Sequence, residues 1–150
     1  MAQGEYISPE RLENFYVIHP GIATIFVHGD STQTCLVGII GVDPEPFSAW
    51  ASKVLRRPIA VSEIESVYQD PVITKAMIKD LNRIADNRKL AGFERIKAIH
   101  MALEPFSVEN DLLTPTLKLK RAEAAKAFRS VIDILYKAIN ESSVKVQAKL

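Results

Sequence analysis

The chain has 150 residues, of which 47% are apolar and 25% charged, and its formal net charge is +1. This length allows one domain with a buried core, and the composition excludes an intrinsically disordered chain. The total charge indicates no class of partner, but its distribution is uneven. Residues 1–50 have a net charge of −5 and residues 118–150 a net charge of +5. An anionic ligand near the carboxy-terminal third would account for this excess, and so would a solvated helix face.

Several classes of protein are disfavoured by what the sequence lacks. Cys35 is the only cysteine, so no internal disulfide is possible and nothing indicates a secretory compartment. No apolar run approaches the roughly 20 residues needed to cross a membrane, and the first residues do not have the pattern of a signal peptide. The six glycines are scattered and form no phosphate-binding motif. His19 and His28 have no ligand-like spacing to a second histidine or cysteine, so we predict no metal site.

The amino-terminal third is predicted to contain a helix, a β-hairpin and a second helix. A serine, a proline and a glutamate at positions 8–10 predict a helix start that is capped by the side chain of Ser8. Residues 22–28 and 36–42 are rich in β-branched and aromatic residues and flank a polar cluster, which predicts a hairpin. Residues 47–55 are predicted to form the second helix.

The remaining elements give a mixed fold. We predict a short helix over residues 62–68 with Ser62 as its cap, a longer helix that begins at Asp70-Pro71, a third strand over residues 96–103 and a last helix over residues 121–139. The longer helix has an apolar stripe at spacings of four, four and three, formed by Ile73, Met77, Leu81 and Ile84. Strands and helices do not alternate regularly. The sequence therefore predicts an α+β fold, with a small sheet of about three strands and helices packed on it.

A short segment between the third strand and the last helix combines apolar and basic residues. Pro115 disfavours helix at Thr114 and makes the backbone extended there. The alternation that follows predicts two leucines in the core and two lysines that point outward, namely Leu117 and Leu119, and Lys118 and Lys120. Such a segment could deliver a positive charge to an anion held elsewhere. A loop with solvated lysines would have the same pattern.

Three motifs in this sequence resemble long-chain fatty acid–CoA ligases of the adenylate-forming superfamily. Residues 110–121 closely resemble the carboxy-terminal lysine motif, residues 4–13 are similar to the segment that follows the interdomain hinge, and residues 90–99 match a third motif. A glycine usually precedes the motif lysine in the wider superfamily. Here Leu117 does, as in the long-chain subgroup, so Lys118 is the equivalent lysine. The resemblance divides the chain into a carboxy-terminal domain, residues 1–141, and a polar tail, residues 142–150.

The resemblance implies the mobile carboxy-terminal domain of an enzyme that converts ATP, a long-chain fatty acid and CoA into acyl-CoA, AMP and pyrophosphate. Lys118 would be the catalytic lysine of the adenylation step. The CoA channel would be lined by Gly4, Glu5, Tyr6 and Ile7. Thr114, Pro115 and Thr116 would shape the lysine loop. Lys120 and Arg121 would either contact CoA phosphates or be solvated.

The same resemblance implies partners that this chain does not contain. In the family, a large amino-terminal adenylation domain holds ATP, Mg²⁺ and the fatty acid, so the chain alone is predicted to be inactive. Ala148, Lys149 and Leu150 are similar to a peroxisomal address that an import receptor reads. Without that address, the protein would be cytoplasmic or associated with a membrane through the missing part. The alternative is a non-catalytic α+β module that binds phosphates or nucleic acid or is regulatory. The basic third lacks interleaved aromatic residues, so nucleic acid is not a predicted partner.

Overall fold

The computed structural model describes residues 7–148, with side chains described for residues 7–142. Within this range the chain forms six α-helices and three β-strands. In order they are α1 (Pro9–Tyr16), β1 (Ile22–His28), β2 (Leu36–Val42), α2 (Pro44–Leu55), α3 (Ile64–Val67), α4 (Pro71–Asn87), β3 (Ile96–Ala102), α5 (Arg121–Ala127) and α6 (Arg129–Ala148). Two 3₁₀ turns, Val61–Glu63 and Gly92–Glu94, precede α3 and β3. None of the helices described is long and apolar enough to cross a bilayer.

Prolines occupy the first turn of α1, α2 and α4, where the missing N–H costs nothing. At α4 the carboxylate of Asp70 accepts a hydrogen bond from the N–H of Val72 at 2.8 Å. The predicted start of α1 is confirmed, but the predicted cap is wrong, because Ser8 makes no side-chain capping hydrogen bond. Helix α2 begins three residues before the predicted Phe47, since Pro44 is itself compatible with a first helical turn.

The predicted helix over residues 62–68 is divided into a 3₁₀ turn and α3, and Ser62 lies inside the turn rather than at its cap. Ala60 occupies the cap position, and its N–H donates to the carboxylate of Glu63 at 3.2 Å. A glutamate three residues after a helix cap satisfies that backbone donor. This signal competes with Ser62 and places the cap two residues earlier, at Ala60.

The three strands form one sheet in the order β1-β2-β3, which confirms the predicted strands. Strands β1 and β2 pair antiparallel as the predicted hairpin, with Ile25 opposite Ile40. Strands β2 and β3 pair in parallel, so the chain between them must cross over, and it does so through α2, α3 and α4. Strand β2 is therefore central, and β1 and β3 are the edges.

Helices cover both faces of the sheet. Every residue of β2 is buried, because Ile40 and Val42 pack into one core while Val37 and Ile39 pack into another. The first core includes residues of α1 to α4, and the second is formed with α5 and α6. The second core consists of Phe26, Val37, Ile39, Phe106, Leu112, Ala124, Ile132 and Tyr136. The segment that resembles the lysine motif belongs to this second layer.

A close approach at Gly41 brings the chain after β3 across the sheet toward that segment. A Cβ at Gly41 would lie 2.4 Å from the hydroxyl oxygen of Thr24 and 2.8 Å from the Cα of Pro105. The same Thr24 oxygen accepts a hydrogen bond from the N–H of Phe106 at 3.2 Å. Only glycine leaves room for this crossing.

The last helix differs from the prediction of one helix over residues 121–139. It is interrupted at Phe128, whose backbone is at φ −106° and ψ 14°, and its second part, α6, continues to Ala148. The apolar spacing runs through Phe128 without a change, so the interruption leaves no sequence signal. The helix passes the predicted end at Ile139 because residues 139–148 contain no proline or glycine to stop it.

Candidate functional site

The segment with the two lysines folds as a short β-hairpin whose base is held by backbone hydrogen bonds. Leu113 and Leu119 form an antiparallel bridge, and the N–H of Lys120 donates to the carbonyl of Leu112 at 2.8 Å. The N–H of Thr114 donates to the carbonyl of Lys118 at 2.8 Å. We call residues 112–120 the lysine hairpin.

The turn of the lysine hairpin is a tight turn that contains Pro115 and ends at Leu117. The N–H of Leu117 donates to the carbonyl of Thr114 at 2.7 Å, which closes a four-residue turn with Pro115 at its second position. Leu117 has a φ of 64°, in the left-handed region that favours glycine. A tight turn followed by one left-handed residue is a common way to join two strands. Position 117 is therefore one where a glycine would be free of strain.

Threonine side chains support this turn. The hydroxyl of Thr114 accepts a hydrogen bond from the N–H of Lys118 at 3.1 Å and lies 3.1 Å from the hydroxyl of Thr116. Since Pro115 fixes its own φ, the backbone on both sides of the turn is restrained. The position of Lys118 is thus defined by local contacts of its own hairpin.

The predicted orientation is right for one leucine and wrong for the other. Leu119 is half-buried and packs against the second core. Leu117, predicted to lie in the core, is 69% exposed, because the left-handed residue ends the strand alternation at this point. Lys118 is exposed, and within residues 7–142 no carboxylate forms an ion pair with it.

Lys120 and Arg121, which were considered for phosphate contacts or solvation, are both engaged in ion pairs. The ammonium of Lys120 pairs with the carboxylate of Asp111 at 2.5 Å, and this hydrogen bond raises the pKa of Lys120. The guanidinium of Arg121 donates two hydrogen bonds to Glu13, at 2.5 and 3.0 Å. The outward-pointing cation of the hairpin is therefore Lys118.

Glu13 is a residue that the sequence analysis missed. It lies on α1 and is buried, and its carboxylate also accepts a hydrogen bond from the N–H of Val27 at 2.8 Å. Burial raises the pKa of Glu13, although the hydrogen bonds from Arg121 and Val27 act in the opposite direction. Glu13 follows the apolar Leu12 on an amphipathic helix, and this position could have indicated a buried carboxylate. It could not have identified Arg121 as the partner, because the two residues are 108 positions apart.

A groove of about 360 Å³ runs between α1, the free edge of β1 and the lysine hairpin. Its lining includes Asn14, Val17, Ala23, Ile25, Leu117 and Lys118. Val17 is 37% exposed and Leu117 is also exposed, so both side chains contribute apolar surface to this groove. Lys118 thus stands at a partly apolar concave surface and not on a flat polar face.

Of the residues predicted to line a CoA channel, Ile7 is described, whereas Gly4, Glu5 and Tyr6 lie outside the described residues. Ile7 is half-buried and packs against the first core, just before α1. Lys149 and Leu150 of the predicted address also lie outside the described residues, as does the side chain of Ala148.

The two histidines named in the sequence analysis make hydrogen bonds inside the protein. His19 lies 2.8 Å from the carboxylate of Asp80 through one ring nitrogen and accepts from the N–H of Gly21 through the other, at 3.0 Å. His28 lies 2.6 Å from the carboxylate of Asp30. Among the described residues, no three His, Cys, Asp or Glu side chains are grouped as a metal site would require.

The whole fold, and not one layer of it, is matched in solved structures of low sequence identity. The A-PCP didomain of a carboxylic acid reductase from Segniliparus rugosus, in complex with AMP, superposes with a TM-score of 0.75 and 20% identity over 97% of this chain and 18% of that chain. The adenylation domain of the carboxylate reductase of Mycobacterium chelonae gives a TM-score of 0.73 and 23% identity over 91% of this chain and 19% of that chain. These matches confirm the predicted α+β fold.

Comparisons of sequence identify relatives with known names. No family model matches the chain. It is 51% identical over 154 aligned positions to the peroxisomal acyl-CoA ligase 891 of Penicillium roqueforti, covering 100% of this chain and 22% of the relative. It is 42% identical over 141 positions to long-chain-fatty-acid–CoA ligase 5 of Rattus norvegicus, covering 94% of this chain and 20% of the relative. The chain therefore spans about a fifth of the length of these relatives. The chain is homologous to about a fifth of these acyl-CoA ligases, which confirms the resemblance that the sequence motifs indicated.

Proposed function

We propose that this chain is the mobile carboxy-terminal domain of a long-chain fatty acid–CoA ligase and that Lys118 supplies a positive charge to the adenylation step. The observation that supports this most directly is the exposure of Lys118 at the turn of an ordered hairpin, in a chain homologous to acyl-CoA ligases. An exposed ammonium on a restrained loop can reach an anion held by another part of the protein.

In the first half-reaction, an oxygen of the fatty acid carboxylate attacks the α-phosphorus of ATP. A bond forms between that oxygen and phosphorus, and pyrophosphate leaves to give the acyl-adenylate. Negative charge increases on the phosphate oxygens in the transition state, so a positioned ammonium beside them lowers the barrier. Lysine suits this role because it carries a compact charge on a long side chain.

In the second half-reaction, the thiol of CoA loses its proton and attacks the acyl carbon, and AMP leaves with the electrons of the broken acyl–oxygen bond. We infer that the domain rotates between the two steps, so that residues Gly4 to Ile7 face CoA while Lys118 points away. The large amino-terminal domain would hold ATP, Mg²⁺ and the fatty acid. The isolated chain is therefore expected to release no pyrophosphate when it is given ATP and a fatty acid.

The adenylation role is tested by Lys118→Ala in the full-length enzyme, with Lys126→Ala as the control. Lys126 is also an exposed lysine of this layer but lies on α5, away from the hairpin turn. We expect Lys118→Ala to reduce fatty acid-dependent exchange between pyrophosphate and ATP by at least about 100-fold. Lys126→Ala should stay within about twofold of the wild type. Unchanged exchange in Lys118→Ala would refute the proposal and favour a domain without chemistry.

We also propose that Ala148, Lys149 and Leu150 act as a peroxisomal address. Support comes from the sequence pattern and from relatives named as peroxisomal, such as the Penicillium roqueforti ligase. A fluorescent protein fused in front of the last residues should accumulate in peroxisomes. The same fusion without Leu150 should remain in the cytosol, and equal distribution of the two fusions would refute the address.

A further inference from the structure

Three hydrogen-bond donors from two separate parts of the chain converge on the carboxylate of Glu13. They are the N–H of Val27 at 2.8 Å and two guanidinium nitrogens of Arg121. Val27 lies on the edge strand β1, and its N–H finds its acceptor in the carboxylate of Glu13. Glu13 therefore joins α1, the sheet edge and the segment that carries Arg121.

Arg121 is the first residue of α5 and follows Lys118 by three positions. The carbonyl of Lys120 accepts the first hydrogen bond of α5, from the N–H of Ala124 at 2.8 Å. The end of the lysine hairpin and the start of this helix are thus one continuous backbone unit. A restraint on Arg121 consequently restrains the strand of the hairpin that carries Lys118.

The other polar link at the base of the hairpin is of a different kind. Lys120 and Asp111 are paired, but Asp111 has 66% of its side chain exposed and belongs to the same loop. That pair cannot fix the hairpin relative to the sheet. Glu13 has only 11% of its side chain exposed and lies on α1, outside the hairpin. A bidentate pair with a buried carboxylate defines direction as well as distance.

We propose that Glu13 and Arg121 are positioning residues that orient the Lys118 hairpin relative to α1 and the sheet. The inference rests on the proposed function of Lys118. It requires that loss of the pair leaves Lys118 present but allows the hairpin to shift. Displacement of a catalytic group by about 1 Å is enough to slow a reaction severely.

The effect on the hairpin is tested without any catalytic assay, by amide hydrogen exchange on the 150-residue chain. Glu13→Gln retains an oxygen for the N–H of Val27 but removes the charge that holds Arg121. We expect exchange at Thr114 and Lys120 to accelerate by about tenfold, while amides of α4 are unchanged. Arg121→Met gives the same result and serves as a second variant if Glu13→Gln does not fold.

The matched control is the pair of Asp30 and Arg129, which has the same bidentate geometry. The hydrogen-bond partners of Asp30 are His28, Gln33, Arg129 and Tyr136, and none of them lies in the lysine hairpin. Asp30→Asn should leave exchange at Thr114 and Lys120 within about twofold of the wild type.

The effect on catalysis is tested in the full-length enzyme. Glu13→Gln and Arg121→Met should each reduce kcat of adenylation about tenfold without a change in KM for ATP. Thioester formation from preformed acyl-adenylate should be unaffected, which a general loss of stability would not produce. Arg121→Lys, which keeps the charge but not the two-pronged geometry, should fall between wild type and Arg121→Met. In a Lys118→Ala background, Glu13→Gln should add no further loss.

The outcomes separate this inference from the proposed function. A large loss in Lys118→Ala together with normal kinetics in Glu13→Gln would overturn the positioning role alone. Unchanged hydrogen exchange at the hairpin in Glu13→Gln would do the same. A Lys118→Ala enzyme with normal adenylation would overturn both the proposed function and the inference. An equal loss in both half-reactions for Glu13→Gln would show a structural role and contradict positioning.

Discussion

Two arginines from the last two helices bind carboxylates from the first third of the chain, and the two pairs differ mainly in burial. Arg121 binds Glu13, whose side chain is 11% exposed, and Arg129 binds Asp30, whose side chain is 24% exposed. Burial raises the pKa of Glu13 despite its arginine. The hydrogen bonds from Arg129 and His28 lower the pKa of Asp30. Asp30 is less buried than Glu13, so the opposing effect of burial does not cancel them.

This difference shows that similar geometry does not have similar energetic consequences. The charge of Asp30 is favoured in the folded state, so its pair contributes to stability in the ordinary way. The charge of Glu13 is disfavoured there, yet three donors depend on it. Burial makes the charged form of Glu13 unfavourable, and the presence of this buried carboxylate is consistent with a role in fixing the position of Arg121.

The largest contrast is expected when each carboxylate is removed. Glu13→Ala leaves the N–H of Val27 and the guanidinium of Arg121 without their acceptor, and should lower the free energy of unfolding by about 2–4 kcal/mol. Asp30→Ala removes a more exposed acceptor and should cost about 1 kcal/mol. Urea denaturation of the two variants measures both values. Equal losses would remove the distinction between the two pairs.

The two carboxylates should also respond to pH with opposite signs. The folded-state pKa of Asp30 is lowered, so its contribution is present above the unfolded value of about 3.9 and is lost as the pH falls through the folded value. The folded-state pKa of Glu13 is raised, so its charge costs stability at neutral pH, and that cost disappears as the pH falls toward about 4.3.

Urea denaturation at a series of pH values checks these signs. In Asp30→Asn the loss of stability below about pH 4 should be smaller than in the wild type. As the pH falls from 7 to about 4.3, the wild type should gain stability from Glu13 and Glu13→Gln should not. The free energy of unfolding of the variant should therefore fall relative to that of the wild type. A change of the same sign for both variants would contradict the comparison.

The smallest effect is expected at the exposed turn of the hairpin, in contrast to its buried base. Leu117 has a φ of 64° and is 69% exposed, so Leu117→Gly relieves backbone strain but makes the unfolded chain more flexible. The net change should be between 0 and about 1 kcal/mol of stabilisation. Leu117→Ala retains the strain and serves as the control. Destabilisation by glycine relative to alanine would show that the left-handed conformation is not strained.

Much of the fold follows from local patterns in the sequence. The apolar stripe of α4 indicates a helix that is buried on one face. The uninterrupted apolar run of β2 indicates a strand that is buried on both faces. Prolines predicted the starts of α1 and α4, whereas the prediction placed the start of α2 too late, at Phe47 instead of Pro44. These signals are contained within a few residues, which is why a single sequence reveals them.

The parts that the sequence did not reveal depend on distant or irregular contacts. The alternation rule placed Leu117 in the core because it assumes a continuous strand, whereas a left-handed residue ends the strand there. The pair of Glu13 and Arg121 joins residues 108 positions apart, and no local pattern encodes such a partner. The interruption at Phe128 falls within an uninterrupted helical spacing. The exposure of Lys118 was predictable from the sequence of its segment, but the contact between Glu13 and Arg121 was not.

We propose that Lys118 serves adenylation and not thioester formation. The most direct test measures both half-reactions separately in the full-length enzyme that carries Lys118→Ala. We expect pyrophosphate release to fall by at least about 100-fold and thioester formation from preformed acyl-adenylate to stay within about twofold of the wild type. Equal losses in the two half-reactions, or no loss in either, would contradict it.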